Sequence, residues 1–134
     1  MIKEIILCGA QGSQDMIKPI YDRIIARIAS AETKDVGICM TDERPYARSY
    51  TQVSPIMVYI KVDFGMRYEA ILSSSKSVKD ACMSVVMSTR DFEKFDNEAD
   101  LVFDIDSDSN LDRIADVIFD CALNRNEEQS EDRD

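Results

Sequence analysis

From Gly9 to Met16 the chain reads GAQGSQDM, directly after the apolar run Ile5-Ile6-Leu7-Cys8. A glycine turn that leads from a strand into a helix can point backbone N–H groups at an anion, and the helix dipole favours negative charge there. Gly9, Gln11, Gly12, Ser13 and Gln14 are therefore candidate phosphate-binding residues, with Lys18 the nearest cation along the chain. A second set lies in the polar stretch from Thr41 to Pro55, TDERPYARSYTQVSP. There Arg44 and Arg48 could grip an anion while Tyr46 and Tyr50 offer ring faces. The plainer reading is a solvated loop in which the two arginines pair with Asp42 and Glu43, and it is preferred because exposed ion pairs are common and weak. A third set, Asp104, Asp106 and Asp108, alternates at a strand end and could hold magnesium. A helix-capping turn through Ser107 to Asn110 explains these carboxylates better. No residue stands out as catalytic. The chain has no histidine, and Cys8, Cys39, Cys82 and Cys121 are far apart with no C-x-x-C pair, so no metal site is expected. All four cysteines fall in apolar stretches and read as buried, reduced thiols.

The elements that must position these residues follow from periodicity. Ile5 to Cys8 is a buried strand, and Ile17, Ile20, Tyr21, Ile24, Ile25 and Ile28 mark one face of a helix closed by Lys34 and Asp35. Pro19 predicts a late start or a kink in that helix. Val36 to Met40 and Ile56 to Val62 read as further strands. A short helix through Met66, Ile71 and Leu72 stops at Ser73-Ser74-Ser75. Another runs from Val78 to about Phe95, with Val78, Cys82, Val85, Val86 and Thr89 inward and Met57, Met83 and Met87 as core filler. Leu101 to Ile105 is the fourth strand, and Leu111, Ile114, Ala115, Ile118, Cys121 and Ala122 form the stripe of the last helix.

Strands separated by helical crossovers predict an α/β fold: a three-layer sandwich with a mainly parallel sheet of four or five strands and Ile5–Cys8 central. Ligands bind such sheets at the carboxyl ends of the strands. That edge gathers the Gly9 turn, the Thr41 loop, Asp63 and the Asp104–Asp108 region. Length allows one domain, residues 1–124, followed by an acidic tail, 125–134, expected to be disordered. Net charge is −10 from 16 basic and 26 acidic residues. An acidic body argues against direct nucleic-acid binding. No membrane span or signal peptide is read, so a cytoplasmic protein is expected.

In this order of elements the chain resembles the P-loop nucleotide kinases, within them the thymidylate-kinase-like group. Gly9 to Met16 lines up with the phosphate loop G-x-x-x-x-G-K-[ST]. Asp42-Glu43-Arg44-Pro45-Tyr46, followed by Arg48-Ser49-Tyr50-Thr51-Gln52, looks like a loosened D-R-Y…S…Y-Q segment, which in the family grips the acceptor nucleotide. Ser54 to Asp63 leading into Arg67 is similar to the family's late strand and helix, and Ala99 to Asp104 with the Leu111 helix to its final unit. The departures fall on the chemistry. Gln14 stands where the second glycine belongs, Asp15 replaces the lysine and Met16 the hydroxyl that holds magnesium. A strand-helix unit before Val36 is missing, and Arg90 is the only candidate for a lid arginine.

The resemblance thus implies a degenerate, non-catalytic protein of this fold that binds a nucleotide or a protein partner with a basic surface. The alternatives are a divergent nucleotide or nucleoside phosphate kinase, and a Rossmann-like domain whose Gly9–Gly12 turn binds another phosphate-bearing ligand. The sequence names no cofactor.

Overall fold

The computed structural model describes residues 2–31, 35–45, 53–74 and 77–131, with side chains described for 3–31, 35–45, 55–74 and 77–124. The elements are β1 (Ile2–Cys8), α1 (Gln14–Ser30), β2 (Val36–Thr41), β3 (Val53–Val62), α2 (Phe64–Ser74), α3 (Val78–Asp91), a 3-10 turn (Phe95–Asn97), β4 (Leu101–Ile105) and α4 (Leu111–Glu131). The four strands form one parallel sheet in the order β2-β1-β3-β4. The fold is α/β, as the periodicity predicts, with β1 inside the sheet.

Alternation along the strands divides the core in two. Ile5, Leu7, Val58 and Ile60 face α1 and α4, meeting Ile17, Ile20 and Ile24 from the first helix and Ala115, Ile118 and Phe119 from the last. Each such aliphatic side chain contributes roughly 1.5–3 kcal/mol on burial. The opposite residues, Ile6, Cys8, Met57 and Tyr59, pack against Phe92 and Phe95 from the end of α3 and the 3-10 turn. Tyr59 stacks on Phe92 with centroids 5.3 Å apart. Arg23 and Arg27 of α1 share Asp116 of α4 at 3.0 and 2.7 Å, clamping the two helices along their exposed flank.

Helices α2 and α3 pair mainly with each other, through Ile71, Ala81 and Val85. This corrects the inner face expected for α3. Ala81, Val85 and Ser88 are buried, whereas Val78, Val86, Met83 and Met87 are exposed. With Ala81, Val85 and Ser88, at i, i+4 and i+7, turned inward, the larger apolar residues are left on the outer side. Of the methionines expected as filler only Met57 is buried, and Cys82 is exposed, against the expectation for its thiol.

Several boundaries also move. Helix α3 ends at Asp91, because Lys94 takes a left-handed φ of 64° that a continuing helix does not allow. Helix α1 starts at Gln14, ahead of Pro19, which lies on its exposed side. The proline removes one N–H from the ladder without delaying the start. Helix α4 runs to Glu131, past the expected end at Asn124, while its side chains beyond 124 and residues 132–134 lie outside the described residues.

Candidate functional site

The chain leaves β1 in one direction to reach β2 and lies on the other side of β1 when it returns as β3. This reversal opens a crevice between the carboxyl ends of β1 and β3, the position where open parallel sheets bind ligands. A cleft of about 420 Å³ occupies it. Its floor is Tyr59 and Lys61 of β3 and Asp104 of β4, its inner wall is Ala10 and Ser13, and α2 and α3 overhang it with Arg67 and Thr89. Through Tyr59, Lys61 and Thr89 it continues into a second opening of about 520 Å³ that leads to Arg90 and Lys94.

Ser13 stands where a serine usually caps a helix, yet it does not cap α1. Its backbone has φ −92° and ψ −8°, already helical, and its side chain makes no cap hydrogen bond. A capping serine needs an extended backbone to aim its oxygen at the first-turn amides. Here the residue is fully buried and Oγ has no hydrogen-bond partner. A buried hydroxyl without a partner costs about 1–3 kcal/mol. An unpaired polar group of this kind in a cleft wall calls for an explanation beyond packing.

Arg67 is the second unusual group. It extends from α2, where it precedes the buried Ile71 by one helical turn and so lies on the inward face, and it is only 6% exposed. Nη2 donates to Thr89 Oγ1 at 2.7 Å and Nη1 to Ser88 Oγ at 3.4 Å. Both hydroxyls in turn donate to the Val85 carbonyl. No carboxylate lies within ion-pair distance of this guanidinium among the described residues. Burial lowers the Arg67 pKa from its ordinary value, opposed by Tyr59 and Asp63 nearby. Burial likewise raises the Tyr59 pKa, with Arg67 acting against it. The guanidinium also lies over the Phe64 ring at 5.7 Å, and Asp63 acts on it only from beyond ion-pair distance, so its direct partners are neutral and its desolvation is only partly offset.

The outer rim has the opposite character. Asp63 Oδ2 accepts from the Met66 amide at 3.3 Å and starts α2. Asp106 Oδ1 accepts from the Asp108 amide and Ser109 Oγ, and Asn110 Oδ1 accepts from the Arg113 amide to cap α4. The capping explanation of the aspartates therefore holds for Asp106. Asp104 belongs to β4 instead, in register with Lys61 of β3. Among the described residues no group of three or more Cys, Asp or Glu side chains is arranged to hold a metal ion.

The residues expected from the sequence are only partly brought together. Gly9 faces β3 so closely that a Cβ would meet the Ile60 carbonyl oxygen at 2.7 Å, which explains the glycine by packing. Gly12 has φ +93°, and a Cβ there would lie 2.7 Å from the Arg67 carbonyl oxygen, so α2 rests directly on the turn. The turn is tight. The Ser13 amide donates to the Ala10 carbonyl and the Gly12 amide to Gln14 Oε1, which spends two of its N–H groups internally. Gln11 and Gln14 open on the far side of the turn, in a shallow hollow of about 170 Å³ against α2. Lys18 turns away to Asp22 at 2.8 Å and does not reach back.

Arg44 is used structurally. It donates to the carbonyls of Asp91 and Glu93, pairs with Glu98 at 2.8 Å and lies over the Phe95 ring, so it braces the 3-10 turn and not the cleft. That partner is also not the Asp42 or Glu43 expected from the sequence. Arg48, Tyr46 and Tyr50 lie outside the described residues.

No protein-family model matches the chain, and no curated protein matches it. What the cleft can bind is set by its own residues. Three of those, Arg67, Lys61 and Tyr59, escaped the sequence reading as site residues. The usable signal was Arg67 itself, a charged residue one helical turn from Ile71 on a face that must be buried. No described helix is long and apolar enough to cross a membrane.

Proposed function

We propose that this protein binds a small phosphate-bearing ligand in the cleft between β1 and β3, and that it does so without transferring a phosphoryl group. The observation that carries this reading is the pairing of an orphaned buried hydroxyl, Ser13, with a buried guanidinium, Arg67, that has no carboxylate partner. Phosphate answers both at once, because its oxygens accept from hydroxyl and guanidinium alike and carry the missing charge.

Kinase chemistry is disfavoured by the same turn. Asp15 is exposed at the position where the resemblance to P-loop nucleotide kinases calls for a lysine, and Met16 offers no hydroxyl for magnesium. A ligand held by side chains, with the turn's amides partly closed, also suits a phosphate monoester better than a nucleoside triphosphate. Descent from the P-loop nucleotide kinases with loss of the catalytic groups accounts for such a protein. The strand order fits a second lineage as well. The order 2-1-3-4 is that of doubly wound sheets with their switch point between the first and third strands, in keeping with a Rossmann-like phosphate-ligand domain. Both lineages lead to the same pocket.

The test is calorimetric titration of inorganic phosphate and ATP, with and without magnesium, into the protein and its Arg67→Met variant. Ser88 and Thr89 keep their bonds to Val85 in that variant, so the hairpin retains its internal support. Removing a charge-assisted contact worth about 1.5–3 kcal/mol should weaken phosphate binding by roughly ten-fold or more. Equal affinity in both proteins would place the anion elsewhere.

A further inference from the structure

The cleft is polarised, and its polarity describes more of the ligand than its phosphate. On the inner wall are Ser13 and Arg67; on the outer rim are three carboxylates, Asp63, Asp104 and Asp106. Two of these are half engaged. Asp63 uses Oδ2 and Asp106 uses Oδ1 on local amides and a serine, leaving one oxygen each. Asp104 makes no hydrogen bond or ion pair among the described residues, although Lys61 stands opposite it in the strand register. Ionised carboxylates only accept hydrogen bonds, so this rim asks for donors and repels a second anionic group.

Resting on the phosphate reading above, we infer that the ligand is a hydroxyl-bearing phosphate monoester of pentose size. Its phosphate lies against Ser13 and Arg67 and its hydroxyls donate to Asp104, with Asp106 and Asp63 adjoining. Asp104 already has a cation opposite it, the exposed Lys61 of β3, so the donors taken by that carboxylate are assigned as neutral hydroxyls, with an ammonium as the competing outcome of the test. Tyr59, whose ring is fixed by stacking on Phe92, gives the carbon skeleton an apolar surface to lie on. The volume of about 420 Å³ accommodates a ligand of this size within the usual range of small-molecule sites.

Four probes separate the parts of this proposal: inorganic phosphate, D-ribose, D-ribose 5-phosphate and O-phosphoethanolamine, each titrated calorimetrically into the protein and into Asp104→Asn. The expected result is that ribose 5-phosphate binds roughly ten-fold or more tighter than inorganic phosphate. Asp104→Asn, at an exposed strand position, should bring that ratio down to about three-fold or less. Ribose 5-phosphate binding no tighter than phosphate overturns the inference and leaves the phosphate site standing. Phosphoethanolamine binding tighter than ribose 5-phosphate overturns it in favour of an ammonium ligand. Ribose binding as tightly as its phosphate, or no binding by any probe, overturns the phosphate reading itself and this inference with it.

Discussion

Ser13→Ala separates a capping serine from a ligand-binding one by the sign of its effect. At a helix N-cap the replacement of serine by alanine costs about 1 kcal/mol. Ser13 gives α1 no cap bond, so that loss does not arise. Its hydroxyl is instead fully buried without a partner, and removing it relieves a desolvation penalty of about 1–3 kcal/mol. Loss of one oxygen's volume returns a few tenths of that as a small void, at about 24 cal/mol per Å³. The net expectation for the unliganded protein is a gain of roughly 1 kcal/mol, or about 3–5 °C in the midpoint for a domain of this size. Urea and thermal denaturation in a phosphate-free buffer measure it. The same variant should bind inorganic phosphate more weakly than the parent, so its advantage shrinks as phosphate is added. A loss of about 1 kcal/mol in phosphate-free buffer would refute the reasoning, since it would show the hydroxyl capping the helix in solution.

Further outcomes are expected. Gly12→Ala forces a side chain into φ +93° and against the Arg67 carbonyl, which should cost about 1–3 kcal/mol and weaken phosphate binding by shifting α2; unfolding curves and titrations check both. Burial pushes the Cys8 thiol from 9.0 up to about 12 and Cys39 up to about 11. A raised folded-state pKa means the native protein holds these protons more tightly, so stability is full below pH 9 and falls as pH rises towards those values. The slope approaches about 1.4 kcal/mol per pH unit for Cys8, the half-exposed Cys39 adding less, and Cys8→Ala should flatten it in denaturation series above pH 9. Purified protein incubated with magnesium and ATP should transfer no phosphoryl group to nucleoside monophosphates; a sustained turnover by chromatographic assay would contradict the assignment of Asp15 and Met16. Deleting residues 125–134 should leave the thermal midpoint nearly unchanged, and a large drop would show that they dock.

The sequence made much of this architecture readable because the sheet is buried on a simple rule. All four strands announce themselves as short apolar runs; β4 spans Leu101–Ile105 as expected, and β3 begins at Val53, ahead of the expected Ile56. Helices α1 and α4 show the three-to-four spacing of a face that packs on a sheet. Periodicity failed where a helix packs on another helix. On α3 the inward stripe is Ala81, Val85 and Ser88; Val85 was expected there, but Ala81 and Ser88 are too small or polar to compete with the exposed Val78, Met83, Val86 and Met87 in an apolar pattern. The site was legible as a place and not as a set of residues. The carboxyl edge was expected to gather the Gly9 turn, the Thr41 loop, Asp63 and the Asp104–Asp108 region; the cleft takes Ser13, Asp63, Asp104 and Asp106 from these, and none of the described residues of the Thr41 loop. Arg67 was not, since an arginine is read as solvent-facing until the burial of its helical face is known. Arg44 had the opposite fate: its loop suggested anion binding, but its geometry fixes it to the carbonyls of Asp91 and Glu93.

The most direct measurement is the location of an electron-dense phosphate analogue. A crystal soaked in tungstate and measured at an absorption edge should place an anomalous peak in the cleft, within hydrogen-bond reach of both Ser13 Oγ and the Arg67 guanidinium, and Arg67→Met should abolish it. A peak confined to Arg90 and Lys94, to the hollow at Gln11 and Gln14, or one that persists at full strength in Arg67→Met, would contradict the account.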